Sequence, residues 1–154
     1  METIREFSAR VGQSLGKSDW LLIDQARVDA FGDVTEDHQF IHVDPTRAKA
    51  DSPFGGTIAH GFLTLSLLSH LGHQIFPEIA GREITINYGL NKVRFLHPVP
   101  VGARIRLEIR LLSVVEKQPG RHMCSFESTV EIEGIKTPAL VAEQLVLYVM
   151  SPAG

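Results

Sequence analysis

The stretch Ile58-Ala59-His60-Gly61-Phe62-Leu63-Thr64-Leu65-Ser66-Leu67-Leu68-Ser69-His70-Leu71-Gly72-His73-Gln74-Ile75-Phe76 decides how the rest of the chain must be arranged. Its apolar residues fall on most faces of a helix, and a helix apolar nearly all round belongs in a core. The length tempts a transmembrane reading. His60, His70, His73 and Gln74 are expensive in lipid, however, so a buried helix from Ile58 to about Phe76 is expected, with no membrane partner.

What could bury such a helix lies downstream. Residues 84–96 alternate Ile84, Ile86, Tyr88 and Leu90, then change phase to Val93 and Phe95, which predicts a bulge or bend beside Gly89. Residues 103–115 place Ile105, Leu107, Ile109 and Leu111 on one face and Arg104, Arg106, Glu108 and Arg110 on the other. Residues 121–133 alternate around Cys124, Phe126, Val130 and Ile132, and 139–150 are apolar on both faces, as in a central strand. Pro119-Gly120 and Glu133-Gly134 mark hairpin turns. Twelve strand residues span about 40 Å and an eighteen-residue helix about 27 Å. One apolar helix therefore fits inside a long curled antiparallel sheet, an α+β hot-dog arrangement. Such a sheet keeps an exposed edge, which a second copy of the chain would cover, so a homodimer is expected.

Upstream, the chain is helical and loop-rich. A short strand is expected near Trp20 to Ile23. Asp24 then caps a helix that includes Val28, Ala30 and Phe31 and ends around Gly32. Asp44-Pro45-Thr46 opens another short helix to Ala50, and Ser52-Pro53-Phe54-Gly55-Gly56 breaks it. At 154 residues, one domain over 1–154 is expected. A 44% hydrophobic content excludes a disordered linker, and a net charge of −3 without basic clusters excludes a nucleic-acid surface. Cys124 cannot form an internal disulfide and sits on an apolar strand face, where a buried inert thiol is expected. The first six residues lack a secretory apolar region, which points to the cytoplasm.

Two clusters carry possible chemistry. Thr35-Glu36-Asp37-His38-Gln39-Phe40-Ile41-His42-Val43-Asp44-Pro45 gathers three acids and two histidines. Acid–base work on water needs two protonatable groups within reach of one molecule, and a turn between Asp37 and His42 would supply them. Local composition alone favours a plainer reading, a solvated turn with Asp37 or Asp44 as a cap. In the second cluster, Gly55 to Thr64, Gly61 falls in the first helical turn, where free amides and the positive dipole end await a developing oxyanion. Taken alone, this reads equally as a flexible helix entry with His60 as a packed or capping histidine.

Together the clusters resemble the MaoC-like hydratases. That family's pattern runs roughly Ser-Gly/Glu-Asp-x-Asn-Pro-Ile/Leu-His-x-Asp and, farther along, Ile-x-His-Gly-Met-Leu. Here Thr35 to Asp44 and Ile58 to Leu63 occupy those places in the same order and spacing, and Phe31, Pro45 and Ala48 also match. Gln39 and Phe40 depart from the usual Asn and Pro, and the string through Thr57 is most similar to the nodulation-protein-N-like branch. The resemblance implies an (R)-specific enoyl-thioester hydratase. In it Asp37 and His42 activate water, Gly61 polarises the thioester carbonyl, and Gln39, His60 and Ser69 bind substrate or support the pair.

The resemblance implies an acyl-thioester partner, with coenzyme A ahead of an acyl carrier protein. No cofactor is expected, and no metal, since the histidines stand at no recurring zinc spacing. Arg104, Arg106 and Arg110 suit either a phosphate-bearing carrier or an ordinary solvated strand face. A hot-dog thioesterase and a non-catalytic acyl-binding subunit are the competing functions. Both do without the Asp37/His42 pair.

Overall fold

A computed structural model describes residues 1–151. The elements in chain order are α1 (Ile4–Ser8), β1 (Ser14–Lys17), β2 (Leu21–Leu22), α2 (Gln25–Thr35), α3 (Phe40–Val43), α4 (Pro45–Asp51), α5 (Gly61–Gly72), β3 (Arg82–Phe95), β4 (Arg104–Gln118), β5 (Arg121–Ile132) and β6 (Ile135–Met150). The six strands form one antiparallel sheet in the order β1-β4-β5-β6-β3, with β2 also on β4. Helix α5 packs against β4 and β6 inside its curl, so the chain has the hot-dog α+β fold. No helix among the described residues is long and apolar enough to cross a membrane.

The strand alternation sets the core. Ile105, Leu107, Ile109 and Leu111 are fully buried beside Phe126, Leu140 and Tyr148, facing Leu63, Leu67, Leu68 and Leu71 of α5. The phase slip at Gly89 is real: the β3–β6 register shifts between Asn87 and Gly89 and again between Leu90 and Lys92. Gly120 and Gly134, at φ +72° and +75°, close the two hairpins. Cys124 is buried, and desolvation pushes its thiol up to about 12, far from reactive.

Three expectations need correction. The apolar helix starts at Gly61 because the preceding residues are held in extended form: Ile58 N donates to Ile41 O and Ala59 N to Val99 O. It ends at Gly72, where the Phe76 ring folds back so closely that a Cβ on Gly72 would lie 2.6 Å from it. Nor is the helix enclosed all round. The sheet covers one side, leaving Phe62 at 68% exposure in a stripe with Leu65, Ser66 and Ser69. Finally, α2 does not end at Gly32 but runs on to Thr35, where Glu36 takes the left-handed cap conformation (φ 59°).

Arg104, Arg106 and Arg110 pair with Glu133, Glu131 and Glu127 of the neighbouring hairpin, and Arg106 lies over the Trp20 ring. Their charges are matched within the sheet, which is the solvated-strand reading rather than the phosphate one.

Candidate active site

The site is assembled where three short pieces of backbone meet. The left-handed cap at Glu36 turns the chain out of α2, and the amides of Glu36 and Asp37 both return to Gly32 O. Gln39 then caps α3, its carbonyl accepting from the His42 amide at 2.9 Å, while Gln39 N lies 3.4 Å from Asp37 Oδ1. One tight turn therefore separates Asp37 from His42. Behind it, Gln25 Nε2 donates to His42 O at 2.7 Å, and the Thr57 hydroxyl donates to Gln25 Oε1 at 2.6 Å.

The two histidines differ in state. His42 Nδ1 lies 2.7 Å from Ile58 O, so it carries the hydrogen and leaves Nε2 as a free lone pair. His60 Nε2 lies 2.9 Å from Asp37 O and donates to it, which ties the histidine to the turn that carries the acid. The rings of His42 and His60 stack at 3.9 Å, and Phe31 packs on His60 at 5.0 Å. Burial lowers the His42 pKa below 6.5 and the His60 ring adds to that, outweighing the Ile58 hydrogen bond and the Asp37 charge that raise it. His42 is thus kept neutral, as a base should be. Asp37 is exposed, while His42 and His60 are buried.

Gly32 makes this packing possible. A Cβ there would lie 3.0 Å from Asp37 O, 3.3 Å from Val43 and 3.6 Å from the His60 ring. Gly32 does not mark the helix end that a glycine there predicts but stands inside α2. Its use as a gap for the neighbouring turn is a tertiary fact, as are the clamp at Gln25 and the carbonyl of Ile58.

Gly61 follows His60 directly and is the first residue of α5. Among the described residues no acceptor takes its amide. The amide borders a cavity of about 270 Å³ lined by Thr64, Phe54, Phe95 and Leu96, and the Phe95 ring stands where a Cβ would be, at 3.1 Å. Ser69 is not with the pair. It lies two turns farther along α5, accepting from Asn87 Nδ2 at 3.0 Å.

Ligand atoms of Asp37, His42 and His60 lie within 4.8 Å of one another; the spacing of Asp37 and His42 allowed them to converge, but not the arrival of His60 beside them. Zinc requires lone pairs converging on one centre at about 2.0–2.2 Å. The lone pairs of two rings stacked 3.9 Å apart and 25° from parallel lie in separate, nearly parallel planes and do not converge on one centre, so the trio suits a bound water better than a metal ion.

The family profile described as MaoC like domain matches residues 6–134. A 3-hydroxyacyl-thioester dehydratase Z of Mycobacterium tuberculosis is 50% identical over 96% of this chain and 97% of its own length. Nodulation protein N of Rhizobium leguminosarum bv. viciae is 45% identical over 97% of this chain and 93% of its own. Among solved structures, the (R)-hydratase from A. caviae involved in PHA biosynthesis superposes with a TM-score of 0.71 at 28% identity. That match covers 88% of this chain and 94% of the other.

Proposed function

The chain belongs to the MaoC-like domain family, and from that premise we propose that it is a hydro-lyase interconverting trans-2-enoyl thioesters and (R)-3-hydroxyacyl thioesters. The observation that carries this reading is the free Nε2 of a neutral His42, fixed through Nδ1 to Ile58 O and set beside Asp37. The unpartnered Gly61 amide stands next to His60, whose ring stacks on His42.

In the hydration direction Asp37 and His42 hold one water. Its oxygen bonds to C3 as a proton leaves it for the pair, and a proton is delivered to C2 on the same face. H and OH are thereby added across the double bond, with no redox step. The Gly61 amide holds the thioester oxygen while negative charge builds on it. His60 positions both the base and the acid, Gln39 fixes the turn between them, and Ser69 belongs to the wall along which an acyl chain would run.

Crotonyl-CoA tests the reading against its competitors. Loss of the enoyl absorbance without free thiol supports hydration. Release of thiol would make the protein a thioesterase, and neither change would leave a binding subunit.

We further propose a single domain over 1–154, supported by one buried cluster reaching from Phe7 to Tyr148, with coenzyme A ahead of an acyl carrier protein as carrier and the cytoplasm as location. We also propose a homodimer. Strand β3 ends the sheet order and exposes Ile84, Ile86, Tyr88 and Leu90, beside the bare α5 stripe at Phe62. An edge of that length and apolarity invites pairing with its own copy. Light scattering should give twice the 17.0 kDa chain mass, and a stable particle of 17.0 kDa would overturn the dimer.

A further inference from the structure

Two turns along α5 from Gly61, a cavity of about 210 Å³ opens between the helix and the sheet. Leu65, Leu68 and Leu90 give it apolar walls, and Ser69, Asn87 and Gln144 give it a polar one. The polar wall is a directed row. The Ser128 hydroxyl donates to Gln144 Oε1 (3.5 Å), Gln144 Nε2 to Asn87 Oδ1 (3.4 Å), and Asn87 Nδ2 to Ser69 Oγ (3.0 Å).

Gln144 is out of place by the logic of its strand. Alternate residues Leu140, Ala142, Val146 and Tyr148 turn inward from β6, and Gln144 stands in the middle of that row at 6% exposure. Ser128, fully buried, does the same on β5. A buried amide is costly unless its hydrogen-bonding capacity is filled. Both bonds of Gln144 are longer than the usual 2.7–3.2 Å. Capacity also remains: a second hydrogen on each amide nitrogen, and the Ser69 hydroxyl proton, which meets no acceptor among the described residues. The row thus keeps free donors, beside a second lone pair on each of its accepting oxygens, and none of the lining side chains is charged.

We propose that this cavity takes the distal part of the acyl chain, and that the row Ser128–Gln144–Asn87–Ser69 selects chains carrying a neutral oxygen, as hydroxyl, ether or ketone, over plain hydrocarbon chains. The inference rests on the acyl-thioester reading above. Gly61 and Ser69 are eight residues apart, about 12 Å along the helix axis. The recognised oxygen therefore lies well beyond the reacting carbons. A carboxylate is a poorer fit, since the walls hold no cation to offset its charge.

The test uses matched pairs of saturated acyl-CoA thioesters of equal length, one member with an ether oxygen in place of a methylene, the oxygen being scanned along the chain. Calorimetry on the intact protein should find one oxygen position that binds about tenfold tighter than hydrocarbon, the scale of one net hydrogen bond. Gln144→Leu should bring that ratio near one. The wild-type comparison stands even if the variant folds poorly, and Ser69→Ala supplies a milder second test, expected to lower the same ratio. Equal or tighter binding of every hydrocarbon chain would overturn the proposal and make the row a water-filled structural feature. The trans-2-enoyl counterparts separate the two readings. An oxygen preference in binding without hydration would sink the hydratase and keep the cavity assignment, while hydration without preference would do the reverse.

Discussion

The imidazole rings of His42 and His60 stack at 3.9 Å with 25° between their planes, and each donates to a different carbonyl, His42 Nδ1 to Ile58 O and His60 Nε2 to Asp37 O. A single contact thereby joins the candidate base, the turn that carries Asp37 and the residue ahead of the Gly61 amide. Four predictions follow the parts of that contact.

The first concerns protonation. Burial and the His60 ring lower the His42 pKa, so an NMR titration of the His42 ring should find its midpoint below 6.5, with Nδ1–H as the neutral tautomer. Between the folded and unfolded values the unfolded chain binds more protons. The stability that neutral His42 contributes is therefore full above about 6.5 and lost as pH falls through the lowered value. His42→Gln should flatten that acid-side loss in a series of thermal melts. A midpoint at or above 6.5 would contradict the burial argument.

Asp37 and His42 should behave as one unit. Asp37→Asn and His42→Ala should each lower kcat by about 100-fold or more, in the range acid–base groups supply. The double variant should lose little beyond either single. Were Asp37 merely a cap on the turn, Asn would serve nearly as well and activity would stay within a few-fold of wild type. That outcome would remove Asp37 from the chemistry.

Gly61 separates amide from space. Proline is tolerated at the first helical position, and His60 before it already has an extended ψ of 137°. Gly61→Pro should therefore fold but lose about 100- to 1,000-fold in rate for want of the donor. Gly61→Ala keeps the amide and adds only a Cβ against the movable, half-exposed Phe95 ring, so its loss should be much smaller. Equal losses would mean that the carbonyl is held elsewhere.

Gly32 should uncouple stability from activity. Alanine gains up to about 1 kcal/mol over glycine inside a helix. Its Cβ would nevertheless press on Asp37 O at 3.0 Å, a backbone atom that can yield only by moving the turn. Gly32→Ala should hold its melting temperature within a few degrees while kcat falls at least tenfold. Unchanged kcat would show that the turn tolerates displacement.

The sequence by itself determined much of this protein because periodicity and local backbone chemistry are short-range. Alternation fixed which faces of β4 and β5 are buried, and the slip beside Gly89 announced the bulge, whereas β6, apolar on both faces, left its inward row to the fold. The family resemblance carried by Thr35 to Asp44 and Ile58 to Leu63 singled out Asp37, His42 and Gly61 as candidates. Tertiary structure alone decided the rest, because it depends on what approaches from elsewhere. Backbone bonds from Ile41 and Val99 trimmed the apolar helix to start at Gly61, and a sheet that curls round one side left Phe62 bare. Gly32 was legible as a glycine but not as the gap that admits Asp37 O and His60. That Gln144, one polar residue in an apolar strand, has Asn87 from fifty-seven positions away beside it is likewise a tertiary fact. Local pattern says which way a side chain points. Only the assembled fold says what it meets.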